Sequence, residues 1–170
     1  IIYALADGTA NVMKSMEKIN YFPVALGTWG SLSSIYYRMA GPKLAPNLIV
    51  AASTTEDSNE RTKALGERVR KNYPTMTTFV SAAQGYDAVT LLGAAITKAG
   101  TTDGAKVAAA LEDLSGVQGV IKLYNKPFTK SNHDGLSVDD FYLAKWTEAG
   151  TIVRFQDDIL KSITAADLKR

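Results

Sequence analysis

The sequence predicts an α/β protein that begins with a doubly wound block and whose sheets are incomplete within this chain. Short apolar runs alternate with amphipathic helical segments over residues 1–52. This strand–helix–strand order gives a parallel pair with a right-handed crossover. Residues 58–114 are instead rich in predicted helix and contain too few strands for a sheet of their own. We therefore expect this helical part to pack on strands supplied from outside the chain.

The first part is predicted as three strands joined by helices. Residues 1–5 form a continuous apolar run, typical of a strand buried on both faces, and further strands are expected at 23–27 and 48–52. A chain that begins within a strand suggests that an N-terminal part of the natural protein precedes it. Residues 7–9 (Asp-Gly-Thr) are predicted as a turn with helix-capping side chains. The joining helices are marked by the apolar positions Val12, Met13, Met16 and Ile19 and by the amphipathic stretch 32–40.

The later part is predicted as three helices, a short strand and a hairpin. The charged segment 58–73 has a narrow apolar stripe, which indicates a surface helix that ends before Pro74. Ser81 and Gln84 resemble a capping box that opens the next helix, and Gly100 is expected to end it. The other expected elements are a helix at about 103–114, a strand at 120–124, a polar loop at 125–140 and a β-hairpin of 141–146 with 151–155.

Composition excludes several classes of function. The 170-residue chain has a net charge of +2 with both signs mixed along it, so no basic surface for nucleic acid is expected. It contains no cysteine, which removes disulfides, thiol nucleophiles and cysteine-ligated zinc. No uninterrupted apolar stretch approaches the roughly 20 residues that cross a bilayer. These features are those of an ordinary globular protein.

The motifs of common catalytic and cofactor sites are also absent from the sequence. It has no G-x-G-x-x-G, no G-x-x-x-x-G-K-[ST] and no H-E-x-x-H. The only histidine, His133, lies among Ser131, Asn132 and Asp134. Neighbours within one loop do not form a catalytic triad, whose members converge from separate elements, and a metal site there would need further ligands. We therefore expect a protein that is not an enzyme, with no metal and no cofactor.

Two loops are the best candidates for contact with a ligand. In open α/β sheets, ligands lie beyond the carboxyl ends of the strands, where loops from different strands converge. The first loop precedes a helix whose N-terminal amides can receive a carboxylate, although it is equally well explained as turn and cap. The second offers a hydroxyl and a flat indole, which would otherwise pack beneath its own loop. The candidate residues are Asp7, Gly8 and Thr9 in the first loop and Thr28, Trp29 and Gly30 in the second.

Tyr86 is a further candidate, from the helical part. It lies in the apolar stripe of the predicted helix that ends at Gly100, so a place in the core is the favoured interpretation and ligand contact is the alternative.

An ordered series of motifs resembles the type I periplasmic binding proteins, closest to the branch named after the leucine/isoleucine/valine receptors of ABC importers. Residues 84–89 (Gln-Gly-Tyr-Asp-Ala-Val) and 94–100 (Ala-Ala-Ile-Thr-Lys-Ala-Gly) resemble a helix of that family. The Ala110-Leu111-Glu112 helix and the Gly116-to-Ile121 strand are similar to the elements that follow it. The closing hairpin, with Trp146 and Gly150, resembles the family's C-terminal hairpin.

This resemblance implies a fold of two doubly wound lobes joined by crossing strands, present here only in part. By analogy, residues 1–52 would be a segment of lobe 2, residues 53–57 a crossing, and residues 58–137 a segment of lobe 1. Residues 138–155 would contain the return crossing and the lobe 2 hairpin, and residues 156–170 a C-terminal tail. Most strands of lobe 1 would then lie outside this chain.

The resemblance also implies a function. It indicates the extracytoplasmic, periplasmic solute-binding subunit of an ABC importer, which closes two lobes on a small molecule and is then bound by the permease. In the amino-acid receptors of this family, an acidic residue in the second cleft loop pairs with the ligand's ammonium group, and Trp29 stands at that position here. Asp7 is the remaining candidate for that charge. An aromatic or aliphatic carboxylate or an amide is thus a better candidate ligand than a simple amino acid. A ligand-sensing regulatory or receptor domain on the same fold is the alternative.

Overall fold

The computed structural model describes residues 1–158 and residue 162, so most of the predicted tail lies outside the described residues. Five α-helices and six strands follow one another along residues 1–154. The helices are α1 (Ala6–Lys18), α2 (Ser34–Ala40), α3 (Glu60–Asn72), α4 (Phe79–Ala99) and α5 (Gly104–Glu112). The strands are β1 (Ala25–Gly27), β2 (Leu48–Ala52), β3 (Val117–Gln118), β4 (Leu123–Tyr124), β5 (Tyr142–Trp146) and β6 (Ile152–Arg154).

The main sheet has the order β1-β2-β5-β6. β1 and β2 are parallel, and β2 pairs antiparallel with β5, so that Ala52 lies opposite Tyr142. β5 and β6 form the predicted hairpin, whose turn contains Gly150 at a φ of 80°. We call residues 1–52 and 138–155, which build this sheet with α1 and α2, the sheet segment. Residues 58–137, with α3 to α5 and the two-stranded β3–β4 sheet, are the helical segment.

The prediction of a buried strand at residues 1–5 is wrong. Only Ile2 of this run is buried, while Ile1, Tyr3 and Leu5 are exposed. One backbone bond, from the Ile2 amide to the Leu26 carbonyl at 2.7 Å, joins the run to β1. A single bond does not make a strand ladder, so the run follows the edge of the sheet in an irregular conformation.

The helix boundaries confirm some of the predicted signals and correct others. α3 begins after Asn59, whose side chain accepts from the Arg61 and Thr62 amides, and it ends before Pro74 as predicted. α4 ends at Gly100, which has the left-handed conformation with φ of 64° that favours glycine. Its predicted start is wrong, because α4 begins at Phe79 and contains the supposed capping residues within its first two turns.

The strand predicted at 120–124 is also only partly present. The chain instead forms a tight antiparallel pair, in which Val117 lies opposite Tyr124 and Gln118 opposite Leu123. Residues 119–122 make the turn between them, with the Gly119 amide bonded to the Lys122 carbonyl at 2.9 Å. The helical segment thus has a sheet of two short strands, in keeping with the expectation that it lacks a full sheet of its own.

Three clusters of buried side chains form the core. The largest lies in the sheet segment, where α1 and α2 pack on β2 and β5 through residues such as Met13, Tyr36, Val50 and Trp146. The helical segment has one cluster between α4 and α5 and a second between α3, α4 and the turn that contains Val120. Val80 of α4 belongs to the cluster of the sheet segment, so the start of α4 joins the two segments.

By length and composition, α4 is apolar enough to cross a bilayer, with 21 residues and a mean hydropathy of 1.2. Core helices of soluble proteins have the same features. α4 carries a buried carboxylate, Asp87, and packs against both α3 and α5, and 33% of its apolar window is buried.

Candidate functional site

The two predicted cleft loops lie against each other. The Thr28 hydroxyl donates to the Ala4 carbonyl at 3.0 Å, and the Ser31 hydroxyl donates to the Thr9 hydroxyl at 3.1 Å. The side chain of Thr9 is fully buried, and its own hydroxyl faces the Ala4 carbonyl at 3.3 Å. Thr9 and Thr28 therefore use their polar atoms to hold the loops together at the carboxyl end of β1.

Asp7 and Gly8 lie within the first turn of α1, so the prediction of a turn at residues 7–9 is wrong. The helix begins at Ala6, and the preceding Leu5 is extended and makes no side-chain cap bond. The first amides of a helix have no partner within the helix, and they carry a partial positive charge. The exposed Asp7 carboxylate stands beside these amides. This end of α1 therefore offers hydrogen-bond donors and one acid next to the second loop.

Trp29 is the most prominent group at this edge of the sheet. Its side chain is 52% exposed, in a short 3-10 helix that follows β1. One face of the indole stacks on Phe141, with ring centroids 5.9 Å apart and planes 21° from parallel. Gly30 lies close to Leu5, since a Cβ there would be 3.2 Å from the Leu5 Cδ2 atom. The indole is thus stacked on one neighbour and half exposed, rather than packed under its loop.

Phe141 was not found from the sequence. It precedes β5, and β5 runs antiparallel to β2, so Phe141 arrives at the same edge of the sheet as the loop after β1. The signal was available in principle, because an aromatic residue at the start of a returning hairpin strand lies where the parallel strands end. The signal places Phe141 at this edge only if β5 is known to pair with β2, and that long-range pairing cannot be read from the local sequence.

Tyr86 lies elsewhere, and the favoured interpretation of it as a core residue is wrong. Its side chain is 40% exposed, and the Arg68 guanidinium lies 5.5 Å from the centre of its ring. It lines a cavity of about 450 Å³ between α3 and the β3–β4 turn, together with Leu65 and Gln118. Neither Trp29 nor any other residue of the two cleft loops lines this cavity.

Hydroxyl groups form a cluster where the chain leaves β2. The Thr55 hydroxyl oxygen is 2.9 Å from the Tyr142 hydroxyl oxygen, and the Ser58 hydroxyl oxygen is 2.7 Å from the same atom. Thr55 donates to the Asp57 carboxylate at 2.6 Å, and its amide donates to the Ser58 hydroxyl at 2.8 Å. The cluster bonds the connection that leaves the sheet segment, at 53–58, to Tyr142, the first residue of β5. The chain returns to the sheet segment just before β5, so its outgoing and returning parts lie side by side.

A polar cavity of about 380 Å³ lies beside this cluster. Its lining includes Lys122, Asp140 and Arg154. Burial alone would raise the pKa of Asp140, but the ion pair with Lys122 and hydrogen bonds from Ser137 lower it below the ordinary value. Arg154 lies over the Tyr142 ring, 4.6 Å from its centre. The Lys122–Asp140 pair also links the β3–β4 turn of the helical segment to the start of β5.

Over residues 1–158, no group of three or more histidine, aspartate or glutamate side chains is placed to hold a metal ion. His133 is exposed in its loop. The chemistry available at the edge of the sheet is therefore stacking on Trp29, hydrogen bonding to the first turn of α1 and one charge from Asp7.

The structure is similar to solved periplasmic binding proteins. A periplasmic binding protein type 1 from Bordetella pertussis Tohama I has a TM-score of 0.72 at 23% identity, over 91% of this chain and 45% of that one. A leucine-binding protein from Thermotoga maritima has a TM-score of 0.72 at 17% identity, over 91% and 43%. A fatty acid ABC transporter substrate-binding protein from Thermomonospora curvata has a TM-score of 0.72 at 17% identity, over 95% and 44%.

The chain thus spans less than half the length of these solved relatives. At such identities the likeness shows the fold, and the three proteins named are binding proteins by description. No curated protein sequence gives a significant match. A family model described as periplasmic binding protein matches residues 1–151, nearly the whole described chain. The chain therefore belongs to the periplasmic binding protein family, with the type I fold.

Proposed function

We propose that this chain is part of the solute-binding subunit of an ABC importer, working in the periplasm or another extracytoplasmic space. In this proposal residues 1–52 and 138–155 belong to lobe 2 and residues 58–137 to lobe 1, with a crossing at 53–57. The ligand is a small carboxylate, amide or amino-acid-type molecule held between the lobes, and the closed form is bound by the permease. The family assignment and the transport-related relatives support this function.

The observation that carries the proposal is the stacked pair Trp29–Phe141 at the carboxyl end of β1. A half-exposed indole braced on one face presents its other face to a planar or apolar ligand group. Residues 26–33 contain no acidic side chain, so the loop has no partner for an ammonium group. The first-turn amides of α1 favour a carboxylate, whereas Asp7 favours an amide or ammonium group.

A thermal-shift screen of the full-length protein tests the function. The panel contains amino acids including leucine, aromatic acids, short carboxylates, fatty acids and amides. A ligand that binds only the native state adds about 2.7 kcal/mol to the free energy of unfolding at a concentration 100 times its Kd. This added stability raises the melting temperature, which the screen measures. No stabilisation by any member would count against the proposal. Because the solved relatives are more than twice as long, we expect the 170-residue chain alone to bind the same ligand weakly.

The Trp29→Ala variant tests the site. Loss of the stacking face is expected to weaken ligand binding at least tenfold, which corresponds to about 1.4 kcal/mol, with little change in stability. Tyr73→Ala is the matched control, because Tyr73 is 67% exposed and follows α3 in the helical segment. Calorimetric titration of both variants measures the change. An affinity of Trp29→Ala equal to that of Tyr73→Ala would remove Trp29 from the site.

A further inference from the structure

A third cavity, larger than the polar cavity beside Tyr142, lies on the other side of the connection at 54–57. Its volume is about 620 Å³, within the range of small-molecule sites. It is bounded by α2 and the β5–β6 hairpin from the sheet segment and by residues 76–80 from the helical segment. Its apolar wall is formed by Leu32, Met76, Phe79, Val80, Trp146 and Ile152. Four of these side chains are buried, so most of the wall belongs to the packed core.

The wall on the hairpin side is fixed by hydrogen bonds and ring contacts. The Trp146 indole N–H donates to the Ser31 carbonyl at 2.9 Å, and its ring centre lies 5.3 Å from that of Tyr37. The Tyr37 hydroxyl donates to the Glu148 carbonyl at 2.6 Å, which ties the hairpin turn to α2. An aromatic wall held in this way has its binding conformation before a ligand arrives. Binding therefore costs little conformational entropy of the side chains.

The charges around the cavity leave one cation without a carboxylate. Glu56 is paired with Arg70, and Asp57 accepts from the Thr55 hydroxyl. Arg38 is bonded to the Ser34 hydroxyl at 3.1 Å, and residues 1–158 place no carboxylate within ion-pair distance of it. Arg38 lines this cavity and not the polar cavity beside Tyr142, whereas Asp57 lines both and so lies in the partition between them.

This cavity is separate from the edge that carries Trp29. None of the residues at 6–9 or 28–30 lines it. The Ser34 amide donates to the Thr77 carbonyl at 2.7 Å, which joins the two segments at the start of α2. We propose that the cavity is a second binding site, for a small molecule with a planar apolar body and one anionic group. The body packs against Trp146 and Phe79, and the anionic group pairs with Arg38.

Two fluorescent probes of the same shape test the proposal on the full chain. The first is 8-anilinonaphthalene-1-sulfonate, which carries a sulfonate, and the second is N-phenyl-1-naphthylamine, which has a similar body without the charge. We expect the sulfonate probe to bind with one site per chain. Arg38→Gln should weaken binding of the sulfonate probe about fivefold, which is the effect of removing one partly exposed charge contact. The same variant should change binding of the neutral probe by less than about twofold. Lys14→Gln, the same charge change on α1 outside the cavity, should change neither.

A second variant tests the cavity by volume. Ile152→Phe places a larger side chain in the cavity wall, on the half-buried edge strand β6. The smaller cavity should weaken binding of both probes. Uptake of several probe molecules per chain, or equal affinities of wild type, Arg38→Gln and Ile152→Phe, would overturn the proposal. Since no transported ligand is needed, failure of the proposed transport function would leave these measurements unaffected.

Discussion

The sheet segment buries its apolar side chains around one cluster, whereas the helical segment divides them between two clusters that meet along α4. The two segments also treat buried polar groups differently. In the helical segment, the Asp87 carboxylate is 2% exposed and every oxygen has a partner. In the sheet segment, the Tyr36 hydroxyl is completely buried and has no hydrogen-bond partner among residues 1–158.

Asp87 explains how the helical segment holds together with only a two-stranded sheet. Its carboxylate accepts from the Val120 amide at 2.6 Å, the Ile121 amide at 3.0 Å and the Tyr124 hydroxyl at 2.9 Å. The Asn59 side chain donates to the Val120 carbonyl at 3.0 Å from the other side. A side chain on Gly119 would collide with Asp87, so the turn must approach α4 closely. The helical segment is therefore held by a polar anchor in addition to its two apolar clusters, whereas the sheet segment depends mainly on the packing of one apolar cluster.

The largest effect should come from Asp87→Ala. The change leaves two amides and the Tyr124 hydroxyl without a partner, so we expect a loss of about 3 kcal/mol in the free energy of unfolding. Denaturant titration followed by circular dichroism measures it. Asp113→Ala is the control, since that carboxylate pairs with Lys98 on the surface and its removal should cause no resolvable change. A loss for Asp87→Ala below about 1 kcal/mol would mean that the anchor does not hold the helical segment.

Trp146→Phe tests the sheet segment in the same way. It removes the bond to the Ser31 carbonyl and part of the buried volume, and the expected loss is about 2 kcal/mol. Trp29→Phe, at a half-exposed position, should lose much less in the same titration. If Trp146→Phe cost more than Asp87→Ala, the ranking of polar anchor above apolar packing would be reversed.

Parts of the fold were predictable because their signals are local. Gly100 ends α4, and the runs at 48–52 and 141–155 form strands, since left-handed glycine and apolar runs bounded by turn residues act within a few positions. Residues 1–5 have the same local signal and no strand, because a ladder needs partners on a neighbouring strand. Ser81 and Gln84 carry a capping pattern but lie inside α4, where Gln84 donates to the Ser53 hydroxyl.

The candidate site was predictable only in part, for a related reason. Trp29 could be singled out because it follows a strand, and Asp7 because it begins a helix. Phe141 stacks on Trp29 from more than 100 positions away along the chain, and that contact depends on the pairing of β2 with β5. The exposure of Tyr86 likewise depends on which side of α4 faces α3 and α5, which periodicity alone does not decide.

The junction between the segments should respond to pH. Because the pKa of Asp140 is lowered in the folded protein, its contribution is present above the ordinary carboxyl pKa and is lost as pH falls through the lowered value. Asp140→Asn should therefore cost about 1 kcal/mol at neutral pH. The difference from wild type should shrink as the pH falls below about 3.9, the ordinary carboxyl pKa. Denaturant titrations across that range measure it, and a pH-independent difference would show that the pair with Lys122 contributes nothing.

The smallest expected effect is a gain, at Tyr36. Burial raises the pKa of its hydroxyl, and the described part of the chain offers the group no hydrogen-bond partner to offset the loss of water. Tyr36→Phe should therefore increase the free energy of unfolding by about 0.5 kcal/mol, less than the full cost of an unpaired buried group because the volume of one oxygen is lost from the core.

Tyr37→Phe is the matched control in the same helix. It removes a hydrogen bond to the Glu148 carbonyl, so it should lower stability by about 0.5–1 kcal/mol. Thermal denaturation of the two variants side by side gives the sign of each change. A loss at Tyr36 as large as the loss at Tyr37 would mean that the Tyr36 hydroxyl has a hydrogen-bond partner after all, and the contrast between the two segments would then rest on Asp87 alone.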